Sequence, residues 1–384
     1  MSKRETIYLV ALLVTITISM RSTNNMISTT VPLLGKYQFF FNNIDVGVLT
    51  AVIFLATLVS TSYINPTLSS SIRKRVFVFS NVLVPVSLLL FYFSTGYTVW
   101  IPVILSGLAY GIITPNIITS ASLSSDKNVR EMLLSVYSVS LSLSLILGPL
   151  LEYYLLSFVS YGTVFVLFLP ISLVCLFLSS LIKFPDEVKE RRGVSAIRTK
   201  GFKSSVLAIT AYNIPFAAIT SFLAIYGSVV FHLPRSSSYS LFIYFFSVSF
   251  ATRLYMVIRP FRYLKFPFII SSLITAICLI SLSFVKTDLL LILVIALLGI
   301  PHGTIFPMST ILISRGSTLE ERSSVNSYFM AYNNFLFIAV PIIFGYLTTV
   351  IGFALSFLVL FIPSSLSAAL LIIRYGKDRQ IFYR

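Results

Sequence analysis

Charge is what this sequence has least of. Only 10% of its 384 residues are Asp, Glu, Lys or Arg, where a soluble domain needs about a quarter to cover its surface. A water-exposed globular surface is thereby excluded. Acids are the scarcer sign, twelve against 28 basic residues. None of them falls at the centre of an apolar run, and Asp45 and Glu152 fall at outer helix ends, where water would solvate them. A carboxylate at mid-membrane depth is the usual means of binding a cation or relaying a proton. Its absence argues against efflux of cationic solutes and for an anionic or neutral one. Cysteine is rare too: Cys175 and Cys278 lie in separate apolar runs and read as packed small hydrophobes, not a disulfide or metal pair. No G-x-x-x-x-G-K-[ST] loop occurs, so direct ATP drive is excluded. Metal-ligand clusters and the clustered acids of a membrane-embedded enzyme are missing as well, so no cofactor, no metal and no catalytic residues are expected. No small-residue cleavage site follows the first apolar run before Arg21, so no cleavable signal peptide is expected.

Apolar residues make up 57% of the chain, and the mean hydropathy is +0.95. They are gathered into runs of about 20 residues, the length of helix that spans about 30 Å of hydrocarbon. Twelve such spans can be marked. The first six run from about Ile7 to Leu34, Val46 to Asn65, Val76 to Thr95, Thr98 to Ala121, Glu131 to Tyr154 and Tyr161 to Ile182. The second six run about Ser204–Phe231, Tyr239–Ile258, Phe266–Val285, Leu289–Ser314, Ser323–Thr349 and Gly352–Arg374. Between the sets lies the one long charged stretch, 183–203. Domains are therefore expected at 1–182 and 204–384, with a central loop between them.

The net charge of +16 is an orientation signal, because the basic residues sit in short connections without a basic face interleaved with aromatics. No nucleic-acid partner is implied. With twelve crossings, the side carrying both termini and the central loop holds 23 Lys and Arg, and the opposite side holds three. Positive loops stay cytoplasmic, so both termini are expected inside, with the plasma membrane as the location and lipid as the surround. Arg21 and Arg253 are the two basic residues left within spans.

The chain also repeats itself. Sliding it by 192 positions, half its length, puts Gly107 on Gly299, Gly111 on Gly303, Pro115 on Pro307 and Arg130 on Arg322. Over these 24 positions 7 are identical without a gap, and Pro149 falls on Pro341 at the same shift. An even number of helices per copy leaves both copies facing the same way. Two six-helix bundles related by a pseudo-two-fold axis along the membrane normal follow, with a site between them near the midplane.

These features together resemble the major facilitator superfamily over essentially the whole chain. The strongest match is the fourth helix of each half, G-x-x-x-G-x-x-x-P followed 15 residues on by Arg, where small residues permit close helix approach. Gly148–Pro149 is similar to the family's exporter motif, although Glu152–Tyr153 stand where two glycines belong. In the loop after the second helix Arg73 and Lys74 are kept, while the acid of the family's pattern is Ser69. The resemblance implies an all-α membrane protein of twelve transmembrane helices. It further implies a transporter of a small-molecule substrate working by alternating access as a monomer. The proton antiport of the family's drug exporters does not carry over. Other readings are a receptor or regulator on a transporter scaffold, which would bind a solute and move none, and a multidrug-type exporter.

Several residues could carry the work. Arg21 lies about 21 Å along the helix from Ile7 at about 1.5 Å per residue, beyond reach of the interface. With Thr17, Asn24, Asn25 and Ser28 it forms a polar stripe at helical spacing. Either it touches a substrate carboxylate or phosphate, or it bonds backbone carbonyls of a neighbouring helix. Arg253 is close enough to an inner end to snorkel or to serve structurally. His302 sits at the repeat position of Tyr110, as a proton or substrate group or as an interhelical contact. Tyr212 with Asn213, Asn333 with Asn334, and Asn116 either line a cavity or join helices. Arg130 and Arg322, with Arg73 and Lys74, are expected at a cytoplasmic gate.

Overall fold

The structure, a computed structural model, describes residues 3–68, 70–121, 127–182, 194–259, 261–317 and 322–383. Among them there is no strand. The helices in the first half are α1 Lys3–Tyr37, α2 Asn43–Val59, α3 Ser70–Phe93, α4 Trp100–Ala121, α5 Lys127–Leu155, α6 Tyr161–Leu167 and α7 Leu169–Ser179. Those in the second are α8 Lys200–Val230, α9 Arg235–Ile258, α10 Lys265–Leu282, α11 Asp288–Gly316, α12 Arg322–Val350, α13 Gly352–Tyr375 and α14 Arg379–Phe382. Eleven stretches among the described residues are long and apolar enough to cross a bilayer, counting α6 and α7 as one, and α5 contributes the shorter apolar run Val139–Leu155. Twelve crossings are consistent with this set.

Local chemistry explains most boundaries. Ser160, Thr199 and Thr287 cap α6, α8 and α11 by accepting from a backbone N–H three residues on, satisfying a donor the helix itself cannot. The cap at Thr199 starts α8 at Lys200, inside the polar segment expected as loop. The sixth span breaks at Phe168, just before Pro170, whose ring removes an N–H from the ladder. Large apolar side chains stand outward along the helices, Ile373 at 80% and Val257 at 70% exposure. Hydrocarbon accommodates such surface and water does not. This is an integral membrane protein.

By internal contacts the chain divides into two units, Met1–Phe41 with Leu49–Val188, and Asn42–Val48 with Lys189–Arg384. In the first, α1 packs along α5 and α7, and α3 along α4. In the second, α11 packs along α9 and α8, and α8 along α13 and α12. This second unit ends in a small clasp. Ile381 and Phe382 of α14 are fully buried, Arg315 donates to the Ile381 carbonyl at 3.3 Å, and Lys200 pairs with Asp378 at 2.9 Å.

The duplication holds at the level of single contacts. A Cβ added at Gly107 would strike the carbonyl of Ile53, and one at Gly299 the carbonyl of Phe245. At Gly111 it would lie 2.6 Å from the Thr57 carbonyl oxygen, and at Gly303 2.7 Å from that of Ser249. Gly35 faces Leu49 as Gly227 faces Leu241. Each partner is displaced by the same 192 positions as its glycine. Among the described residues Phe40 and His232, again one repeat apart, are the two non-glycine residues with left-handed backbone, at φ 57° and 54°. Close backbone approach is thus the reason for these glycines.

Candidate functional site

The polar stripe of α1 is the clearest chemical feature of the first unit. From Met20 to Gly35 every α1 residue is buried except Arg21, Asn24, Asn25 and Ser28, which are half-open. A helix face turned to lipid would be apolar, whereas this one is polar at each open position. Its spacing of i, i+3, i+4 and i+7 is that of one helical face. Ser28 bonds back to the Asn24 carbonyl, so the side chains of Arg21, Asn24 and Asn25 remain to act.

Around Arg21 the hydrogen bonding is incomplete. Its Nε is buried with no partner, and so are Asn25 Nδ2, Thr17 Oγ1 and Ser22 Oγ. The hydroxyls of Tyr110 on α4 and Tyr137 on α5 are in the same condition. Arg21 makes no ion pair or hydrogen bond to any described residue, so the carbonyl-bonding alternative is not what the structure shows. A cavity of about 10 Å³, roughly the room one water needs, lies beside Tyr110 and is bordered by Met20, Thr23, Asn81 and Cys175. There Cys175 Sγ contacts Asn81 Oδ1 at 3.0 Å. Both cysteines are free.

In the matching region of the second unit Asn213 and His302 are paired, and the buried hydroxyl of Tyr212 is left without a partner. Asn213 on α8, the repeat counterpart of Arg21, donates from Nδ2 to Oδ1 of Asn333 on α12, and Asn333 donates onward to the Phe329 carbonyl at 2.7 Å. His302 on α11, the counterpart of Tyr110, shares a hydrogen between Nδ1 and Ser249 Oγ at 2.6 Å. Four rings surround it, with centroids at 4.3 Å for Phe216, 5.0 Å for Phe245, 5.6 Å for Phe246 and 5.8 Å for Tyr212. Arg253 turns towards α11 and donates to the His302 carbonyl at 3.4 Å. Tyr212 is fully buried against Phe216, and Asn334 is half-buried.

Other expected site residues divide by position. Asn116 joins helices: it donates to Asn65 Oδ1 at 2.7 Å and to the Ile112 carbonyl at 2.8 Å. Gly148 sits 3.4 Å, by an added Cβ, from the Ser22 carbonyl, on the packed face between α5 and α1, with Pro149 next to it inside α5. Pro115 and Pro307 lie inside α4 and α11. Arg73 donates to the Leu68 carbonyl at 3.3 Å, and Lys74 is exposed. The side chains of Arg130 and Arg322 lie outside the described residues.

The expectation of a solvated helix end for Glu152 is corrected by the structure: the residue is fully buried and accepts from the hydroxyls of Thr30 and Thr29 on α1. Two hydroxyl donors from a packed neighbour replace part of the hydration that burial removes. Tyr137 was not singled out at all, because a tyrosine among the serines and leucines of α5 carries no local signal. That its hydroxyl is buried without a partner shows only in the structure.

Comparison with known proteins agrees with the geometry. The family described as Major Facilitator Superfamily matches residues 10–264 and 255–380. No curated protein sequence matches the chain. Among solved structures, a bacterial homologue of the human lysosomal transporter Spinster, inward-facing and occupied, is similar at TM-score 0.76 and 11% identity, covering 100% of both chains. The nucleoside transporter NupG is similar at 0.71 and 14%, covering 96% of this chain and 100% of its own. The human organic anion transporter MFSD10 is similar at 0.69 and 12%, covering 97% and 100%. At such identities the likeness is one of fold.

Proposed function

The chain belongs to the major facilitator superfamily, whose members are transporters rather than enzymes, and on that premise we propose that it is a permease for a small organic solute, anionic or neutral. It is secondary active or facilitative and works by alternating access. Arg21, Asn24, Asn25 and Tyr110 contact the solute from the first unit. Tyr212, Asn213, His302, Asn333 and Asn334 shape the second unit's side of the pathway. Arg73, Lys74, Arg130 and Arg322 serve the cytoplasmic gate, with both termini inside the cell and the plasma membrane as the site of action. The chain acts as a monomer.

One observation carries this reading: a charged, unpaired Arg21 on a half-open polar stripe at mid-helix depth. Ionisable groups at that depth are costly to keep, and a group that its own protein leaves unsatisfied is available to a ligand. The experiment is uptake into proteoliposomes holding the purified full-length chain, with a panel of anionic, neutral and cationic metabolites. Saturable uptake of at least one solute, lost in Arg21→Ala with folding intact, is the expected result. A protein that binds a panel member yet moves none is a receptor, and the permease reading then fails.

A further inference from the structure

We propose that the end of the second unit where α14 is seated against α11 and the loop before α10 binds the headgroup of an acidic phospholipid. The proposal needs only membrane residence, so it stands or falls apart from the permease reading.

Hydrogen bonds bring three separate stretches of chain together there. The Arg315 guanidinium at the end of α11 donates to the Ile381 carbonyl at 3.3 Å and to the Arg262 carbonyl at 3.4 Å. Gln380 returns a bond from Nε2 to the Arg315 carbonyl at 3.3 Å, and the Leu264 N–H donates to the Phe382 carbonyl at 3.0 Å. Tyr263 and Tyr383 meet edge to face, with ring centroids 5.3 Å apart. Ile381 and Phe382 are fully buried, so apolar packing seats α14 as well.

This assembly gathers positive charge. Arg262, Lys265, Arg315 and Arg379 are each at, or next to, a residue that makes one of these bonds. Arg262 and Arg379 are exposed and Lys265 is half-buried. None of these three has a carboxylate partner among the described residues. The one acid described at this end is Asp378, and Lys200 already pairs with it at 2.9 Å. Orientation in a membrane requires only that basic residues occupy these loops. It does not require that a loop and a terminal helix be bonded into one basic patch.

The neighbouring surface decides what kind of anion fits. Large exposed apolar side chains flank the patch, Val257 and Ile258 on the last turn of α9 and Phe266 on the first turn of α10. Tyr263 is exposed beside them, a residue type that places its ring at hydrocarbon and its hydroxyl in the headgroup layer. A free anion would match the charge alone, and an acidic protein segment would leave the apolar helix ends uncovered. A phospholipid matches both. Its phosphodiester accepts from guanidinium forks, and its acyl chains cover the apolar side chains. An excess of cations without acids favours a lipid of net negative charge over a zwitterion.

The test uses the purified full-length protein in detergent, titrated with phosphatidylglycerol, phosphatidylcholine or inorganic phosphate. Thermal shift reads binding, and native mass spectrometry counts the lipids retained. Phosphatidylglycerol should reach half its effect at about a tenfold lower concentration than phosphatidylcholine. Sodium chloride at about 0.5 M should shrink that preference to about twofold. Arg262→Gln, Lys265→Gln and Arg379→Gln combined should abolish it. Arg4→Gln, Arg75→Gln and Lys286→Gln combined remove as much charge from exposed positions elsewhere and should leave it intact. Ile381→Ser keeps every charge but unseats α14, and should lower the preference about threefold or more. If that variant shows no unfolding transition of its own, the two triple variants decide. Equal response to both lipids, or an equal shift from inorganic phosphate, would overturn the site. So would a preference that survives the first triple variant or Ile381→Ser, or one that both triple variants lose alike.

Discussion

Arg21 in α1 and Asn213 in α8 hold the same place in the two repeats, and their surroundings differ in one respect. In the second unit Asn213 and His302 have found partners on neighbouring helices, Asn333 and Ser249, while the buried hydroxyl of Tyr212 has none. From Ala211 to Gly227 the only residue of α8 that is not buried is Phe216, which packs against His302. In the first unit the same stretch of α1 keeps four polar residues half-open, and Arg21 Nε and the Tyr110 hydroxyl lack the partners that Asn213 and His302 have. The packing is shared down to the carbonyls that Gly107 and Gly299 lean on. Duplication preserved the scaffold, while Asn213 and His302 are paired in one copy and Arg21 Nε and the Tyr110 hydroxyl are left without a partner in the other.

The comparison can be broken most severely by exchanging the charge. Asn213→Arg places a guanidinium in the paired centre and removes the bond to Asn333. A loss of about 3–5 kcal/mol is expected, as for other uncompensated buried charges. Size-exclusion profiles and thermal melts of the purified variant would register it as aggregation or a collapsed melting temperature. Gly107→Val and Gly299→Val test the shared scaffold instead. Both drive a side chain into a neighbouring carbonyl and should cost about 1–3 kcal/mol each, by similar amounts in the two units. A large difference between them would mean that the repeats do not pack alike.

A third pair separates paired from unpaired. Ser249→Ala orphans His302 Nδ1 and should lower stability by about 1–3 kcal/mol. Tyr110→Phe removes a hydroxyl that has no partner, so the melting temperature of the solute-free protein should hold or rise, while uptake weakens. Equal losses in both variants would refute the difference between the centres.

The smallest effect concerns the clasp that ends the second unit. The hydrogen bond from Lys200, and then its charge, holds the Asp378 carboxyl below the usual carboxylate range. A depressed folded value stabilises above the unfolded value, about 4, and that contribution fades as pH falls through the lower folded value. Melting of the wild type between pH 5 and pH 3 should therefore show a slight acid-side loss that is missing in Asp378→Asn. Lys200 is exposed and Asp378 only half-buried, so solvent screens the pair and the loss should be slight.

Much of this was legible in the chain itself. The shift that pairs Gly107 with Gly299 is visible without coordinates because close backbone contact leaves glycine little substitute, so the residues persist in both copies. The stripe from Thr17 to Ser28 is visible because helical period maps sequence spacing directly onto a face. Glu152 was misread for the opposite reason. Its burial depends on Thr30, 122 positions away in sequence, and nothing around Glu152 announces that α1 will press two hydroxyls against it. His302 and Tyr110 looked alike as polar groups in equivalent helices, and only the presence of Ser249 beside one of them tells them apart.

What the amino acids determined alone were properties that follow from solvent and period: membrane residence, a duplicated set of helices, and an arginine on a polar face at depth. Which polar groups are satisfied was decided by the tertiary structure. A hydrogen bond at mid-membrane needs a second helix at a definite angle and height, and that partner is set by packing rather than by neighbours in the chain.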